Sequence, residues 1–167
     1  GMAGILCARK LQDAGKQVAL VEADRIGCGI TARTTAVLTA QHDFLYQDMV
    51  ERFGEKTARA YLHGNLDAVA EFQAMSKKIP CDFETVPSVQ FTVNDPARLE
   101  LEAETVKRLG YPAQFQEQVP LDIPAVGAVV YPDMAQFHPL KFLMGAAEGL
   151  EIYEKSRVLD LEGTTAR

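Results

Sequence analysis

The sequence predicts a mixed fold, part α/β and part α+β. Three observations carry this. A helical pattern followed by a short β-branched apolar run opens the chain. A helix followed by further short strands closes it. Between them, stretches rich in Phe, Val and Thr and bounded by Pro and Gly read as antiparallel sheet. That order predicts one α/β domain interrupted by a second. At 167 residues the chain is long enough to bury a core, and 47% hydrophobic with 24% charged residues is ordinary for a globular protein.

Each element follows from its residues. Ala3 to Ala14 reads as a helix with Ile5, Leu6, Ala8 and Leu11 as its apolar stripe and Gly15 as its stop. Gln17 to Glu22 is a short apolar run ending in an acid, the pattern of a buried parallel strand. The chain begins Gly1-Met2-Ala3-Gly4, which matches the last two glycines of G-x-G-x-x-G. In that fingerprint the glycines allow a tight turn and close approach of a pyrophosphate. Glu22 follows at about the 20-residue spacing where such Rossmann-like units place the carboxylate that accepts hydrogen bonds from a ribose. The strand and glycine that would precede Gly1 are not in this sequence, so the unit is expected to be partial.

A loop punctuated by Gly27 and Gly29 follows. Thr31-Ala32-Arg33-Thr34-Thr35-Ala36 then begins a helical turn that Thr31 or Thr34 can cap. Phe44 to Phe53 and Glu55 to Lys78 are helical, separated by Gly54, with Ala58, Leu62, Leu66, Val69 and Phe72 on the apolar face of the second. Asp82 to Val93, with Pro87 and Ser88 in its middle, predicts two strands. Pro96 to Leu109 predicts a helix capped by Asn94 or Asp95 and ended by Gly110. Leu99, Leu101, Ala103, Val106 and Leu109 face its core, and its acids lie on a solvated face. Short strands are expected at Tyr111–Phe115 and Ala125–Tyr131, around a Pro-bounded loop, Gln118–Pro124. Pro132–Pro139 reads as a polar connection, Leu140–Gly149 as a helix, Leu150–Tyr153 and Arg157–Leu161 as strands, and Gly163–Arg167 as a turn.

Composition excludes several function classes. Net charge is −6, and no basic run or basic helix face offers a nucleic-acid footprint. No apolar stretch approaches the ~20 residues that span a bilayer. Cys7, Cys28 and Cys81 are odd in number and widely spaced, which predicts a reducing, cytoplasmic setting and no metal-ligand pattern. Cys7 is expected to be a small core residue, and Cys28, in a Gly-Cys-Gly loop, to be exposed. His42 and His138 fall in polar connections and His63 on a solvated helix face, none at metal spacing.

Taken together, these stretches resemble the FAD-dependent oxidoreductases of the D-amino-acid oxidase and glycine oxidase superfamily. The carrying residues are Gly1–Gly4, Val18–Gly27, Gly29–Ala36, Ala135–Leu140 and Ile152–Val158. The resemblance implies a partial Rossmann-like FAD-binding domain interrupted by a helical segment and by part of an antiparallel substrate-domain sheet. The implied division is 1–43 for the FAD-binding part, 44–80 for the helical segment, 81–135 for the substrate domain and 136–167 for the return to the FAD-binding domain. It implies FAD as cofactor. Gly1 and Gly4 would face the pyrophosphate, Glu22 would bind the ribose, and Arg25 would lie at the adenine end. Thr31, Arg33, Thr34 and Thr35 would line the phosphate and flavin side, and the backbone at Val158 would contact adenine. The implied reaction is oxidation of an amine or amino acid by hydride transfer to flavin, with the catalytic residues unknown. Family members are more than twice this length, so the chain is expected to be an N-terminal fragment that holds FAD weakly or not at all. The competing expectation is a folded, catalytically silent chain without cofactor, oligomeric through an exposed sheet edge. An NAD(P) enzyme is disfavoured by the Thr/Arg cluster.

Overall fold

A computed structural model describes residues 1–119, 122–163 and 165–166, the last two through their backbone alone. The elements in chain order are α1 (Met2–Asp13), β1 (Ala19–Val21), a 3-10 helix (Ile30–Arg33), β2 (Val37–Leu38), α2 (Leu45–Phe53), α3 (Glu55–Ser76), β3 (Glu84–Thr92), α4 (Pro96–Leu109), β4 (Gln114–Gln116), β5 (Gly127–Gln136), α5 (Pro139–Ala147), β6 (Glu151–Tyr153), β7 (Leu161–Glu162) and β8 (Thr165–Ala166). The chain forms two compact units. The first comprises 1–36, 76–82 and 137–167; the second comprises 37–75 and 83–136.

In the first unit, β1 and β6 pair in parallel, with Ala19 opposite Glu151, Leu20 opposite Ile152 and Val21 opposite Tyr153. Helices α1 and α5 pack together and bury Ile5, Ala8, Phe142, Leu143 and Ala146. Leu20 and Ile152 are half-buried, while Ala19, Val21 and Tyr153 are exposed. The expected buried strand is therefore parallel but covered on one face only, since these described strands form a two-stranded sheet. Cys7 is exposed, contrary to expectation, because the helix turns Ile5 and Ala8 inward instead. Arg9 reaches across to the C-terminal end of α5. Its Nε and Nη2 donate to the Ala146 carbonyl at 3.1 and 2.9 Å, and Nη2 also to the Glu148 carbonyl. These are the carbonyls a helix end leaves without intrahelical partners.

In the second unit, β5 is the central strand. It runs antiparallel to β3 along one edge, while β4 and β2 pair with the two ends of the other. Helix α4 packs on the sheet and α2 packs on α4. Together with α3 they contribute to one core of Tyr46, Leu62, Leu99, Val106, Leu109, Val129 and Tyr131.

Several strands depart from the sequence pattern. Asp82–Val93 is one strand, β3, and not two. The register shifts between Val86 and Ser88, which pair with Met134 and Tyr131, and this bulge absorbs Pro87 and Pro132, neither of which has an N–H to give. The presumed connection from Pro132 belongs to β5 as far as Gln136, because β3 and β2 both pair with it there. The strand expected at Tyr111–Phe115 is displaced to Gln114–Gln116. The one expected at Arg157–Leu161 is reduced to the edge of a closing hairpin, Leu161 opposite Ala166. The loop Gln118–Pro124 and the terminal turn each include positions outside the described residues.

Candidate functional site

The site is built at the C-terminal end of β1, where the first unit has a concave pocket of about 430 Å³. Glu22 continues the strand: its N–H donates to the Tyr153 carbonyl at 2.9 Å. The chain then leaves the sheet. The Glu22 carbonyl accepts from Ser156 N–H at 2.9 Å, and the Asp24 carbonyl from Lys155 N–H at 2.8 Å. These bonds fix the direction of the Glu22 side chain at the pocket wall.

The Glu22 carboxylate has two neighbours. Oε1 accepts from the Asp24 N–H at 3.1 Å, and Oε2 lies 3.5 Å from the Gly1 amino group. The Asp24 N–H, opposed by partial burial, holds its carboxyl below the usual Glu range. The group is therefore an ionised acceptor at neutral pH, and its side chain is 24% exposed.

The opposite wall is the 3-10 helix and the glycine-rich turn before it. Thr31 Oγ1 accepts from Met2 N–H at 3.3 Å and so ties this wall to the start of α1. Gly1, the residue before α1, gives the helix no side-chain cap, which leaves the positive end of a helix beside the pocket. Gly27 has φ +77°, and a Cβ there would come within 3.0 Å of Leu140 Cδ2. Only glycine lets the turn lie so close to α5.

Of the residues singled out from sequence, the structure brings Gly1, Glu22, Arg25 and Thr31 to this pocket. Gly4 faces the sheet instead, with a Cβ position 3.9 Å from Leu20 Cδ1. Arg33, the last residue of the 3-10 helix, and Thr34 and Thr35 after it are exposed and do not line the pocket. The expected hydroxyl cap is absent there: Gly29 precedes the helix, and Thr34 Oγ1 accepts from Ala36 N–H at 3.2 Å. Val158 lies in the connection after β6, 41% exposed. Asp24, Gly27, Cys28, Gly29 and Ile30 also line the pocket. The Gly-Cys-Gly spacing was their signal, and Cys28 is exposed as expected.

The histidines stand outside this pocket. His138 caps α5, accepting from Lys141 N–H at 3.4 Å, and His63 Nε2 lies 3.3 Å from the Leu109 carbonyl. His42 Nδ1 is 3.5 Å from the Tyr61 hydroxyl. Among the described residues no His, Cys, Asp and Glu cluster could hold a metal, and no helix is long and apolar enough to cross a membrane.

Comparison with known proteins places this geometry in a family. The chain is 32% identical, over 97% of its length, to a Bacillus subtilis (strain 168) protein named for a Rieske 2Fe-2S iron–sulfur protein, YhfW, of which it covers 34%. It is therefore about a third as long as that relative. Among solved structures, L-proline dehydrogenase from P. horikoshii superposes with a TM-score of 0.71 at 21% identity, over 95% of this chain and 42% of that one. Glycine oxidase from Geobacillus kaustophilus gives 0.70 at 19% identity, over 97% and 46%. Both share the mixed fold of this chain. The family described as FAD dependent oxidoreductase, DAO, matches from residue 1 to residue 167, and the chain belongs to that family.

Proposed function

We propose that the pocket beside Glu22 holds the adenosine and pyrophosphate portion of FAD, and that the protein carrying this chain oxidises an amine or amino acid. The observation that carries the reading is Glu22 itself. An ionised carboxylate stands at the C-terminal end of a parallel strand, next to the start of a helix whose N-cap residue, Gly1, supplies no side chain, which is the arrangement that binds a ribose and a pyrophosphate in doubly wound folds. Glu22 would accept hydrogen bonds from ribose hydroxyls. The start of α1 and Thr31 would face the phosphates, and Arg25 would lie at the adenine end.

The residues present fit such a group. The pocket has an anionic acceptor at one wall and a hydroxyl and backbone amides at the other, and nothing lies within 4 Å of a Cβ built on Gly29. FAD, when bound, supplies a two-electron acceptor for the C–H bond next to the substrate nitrogen. The chain's own residues bind and orient; the segments 1–43 and 136–167 would form the FAD-binding part, and 81–135 part of the substrate domain. Amino-acid substrates are suggested by the names of the matched glycine oxidase and L-proline dehydrogenase.

Titration of FAD into the purified protein, followed by quenching of flavin fluorescence, tests this. Saturable binding is expected, weakened at least tenfold in Glu22→Ala, the loss of about one charge-assisted hydrogen bond pair. No saturation, or wild-type affinity in Glu22→Ala, would overturn the reading. A second reading, a cofactor-free chain that associates with its own copies, is favoured by one observation: Val21 and Tyr153 are each 48% exposed on a two-stranded sheet. A monomer at all concentrations in sedimentation removes it.

A further inference from the structure

The backbone bonds that hold Glu22 and Asp24 to the segment after β6 stop at Asp24. The pocket wall continues past that point, through Arg25 to Thr31. Its far end is tied to α1 by the Thr31 bond to Met2 N–H, and two further contacts hold the part before it. One is the packing of Leu140, Leu143 and Met144 of α5 against Gly27. The other is a single carboxylate: Glu154 Oε1 accepts from the Ile26 N–H at 2.9 Å.

Resting on the reading of this pocket as the nucleotide site of FAD, we propose that Glu154 is a positioning residue for it. The side chain leaves the chain one residue after β6 and is exposed, so it contributes little to any core. It reaches the N–H of the residue between Arg25, which lines the pocket, and Gly27, which is pinned against α5. The bond therefore fixes the first half of the turn closed by Cys28 N–H on the Arg25 carbonyl at 3.3 Å. Without it, Arg25 is carried by a loop held at Asp24 and Gly27 but not between them.

The role is acceptance of one hydrogen bond, so an amide oxygen can replace the carboxylate. Glu154→Ala, Glu154→Gln and Glu22→Ala are compared for FAD affinity by fluorescence, for thermal midpoint, and for hydrogen exchange at the Ile26 amide. Glu154→Ala is expected to weaken FAD binding about three- to tenfold, the range one net hydrogen bond supports. Its thermal midpoint should stay unchanged and its Ile26 amide should exchange faster. Glu154→Gln should restore both readouts. Unchanged affinity in Glu154→Ala, with Glu22→Ala impaired, would overturn the positioning role and leave the pocket reading standing. Equal weakening in Glu154→Ala and Glu154→Gln would overturn it too, since charge and not the bond would then matter. Rapid exchange of the Ile26 amide in the wild-type protein would overturn it without any variant. Absence of FAD binding in the wild-type protein would overturn the pocket reading and this role with it.

Discussion

Glu22 and Glu102 show how one side chain takes two characters from its surroundings. Glu22 is partly exposed and held ionised by the Asp24 N–H. Glu102 is fully buried on α4. Its two oxygens accept from the Tyr46 and Gln47 N–H groups at 2.8 and 2.9 Å, in the first turn of α2. The residue before α2 is Phe44, which has no oxygen to cap with, so the acceptor comes from another helix. The Arg98 guanidinium lies 4.0 Å over the Phe44 ring beside it. Burial raises the Glu102 carboxyl above the ordinary Glu value, opposed by the two N–H groups, with Asp48 adding to the rise and Arg98 opposing it. Between the ordinary and the raised value the folded chain keeps a proton that the unfolded chain releases. The stability tied to Glu102 is therefore present below the ordinary value and lost as pH rises through the raised one. Glu102→Gln turns an NH₂ toward one of the two N–H donors, so it should cost about 1–3 kcal/mol in urea unfolding at mildly acidic pH. The deficit should narrow as pH rises; a deficit that widens would show that the two N–H bonds outweigh burial. None of this was legible in the sequence, where Glu102 reads as one more acid on a solvated face. Its partners are 55 and 56 residues away, and helical spacing reports the face of α4 but not what packs on it. Leu101, expected in the core, is 44% exposed instead.

Among the elements, the helices were legible and the strands only in part. Helix bounds depend on neighbouring residues: Asp95 caps α4 by accepting from Arg98 N–H at 3.2 Å, and Gly110 ends it at φ +106°. Strand bounds depend on a partner far along the chain, which is why β5 outran its pattern, past Pro132 and Asp133 to Gln136. Packing of the helices is likewise non-local. Arg59 on α3 donates to the Leu109 and Arg108 carbonyls at 2.8 and 2.9 Å, closing the C-terminal end of α4 as Arg9 closes that of α5. The approach of α5 to the segment 76–82 is the tightest of these contacts. A Cβ on Gly145 would lie 2.4 Å from Ile79 Cγ2, and the branched side chain cannot give way without moving its own backbone. Gly145→Ala should therefore destabilise the protein by about 1–3 kcal/mol despite the better helix propensity of Ala. Pairing it with Ile79→Ala should recover part of the loss; equal stability of Gly145→Ala and wild type in thermal unfolding would contradict the contact.

For the molecule as a whole, the sequence disclosed the fold class and the family because both rest on ordered local patterns, from the Gly1–Gly4 start through Glu22 to the Thr31 stretch. It disclosed the pocket only in part, because which of those residues converge depends on the turn between Arg25 and Thr31. The same distinction between local and long-range structure sets where stability resides. Strand β5 is paired along both edges, and Ala128, Val129, Tyr131, Met134 and Ala135 are buried in it. Strands β1 and β6 have three residues each, one parallel pairing and one exposed face. Opening a segment costs the contacts it must break, so amide exchange should be slowest at Val129 and Val130 and faster at Ala19 to Val21 by orders of magnitude. A ligand that binds only the ordered pocket adds RT ln(1 + [L]/Kd), about 2.7 kcal/mol at a hundredfold excess over Kd. Saturating FAD should therefore slow exchange across residues 22–31 by up to about a hundredfold at that excess. Protection that appears elsewhere and not at 22–31 would place the cofactor away from Glu22. Exchange at β1 as slow as at β5 in the free protein would mean that the two-stranded sheet gains its stability from a partner, such as a second copy seated on Val21 and Tyr153.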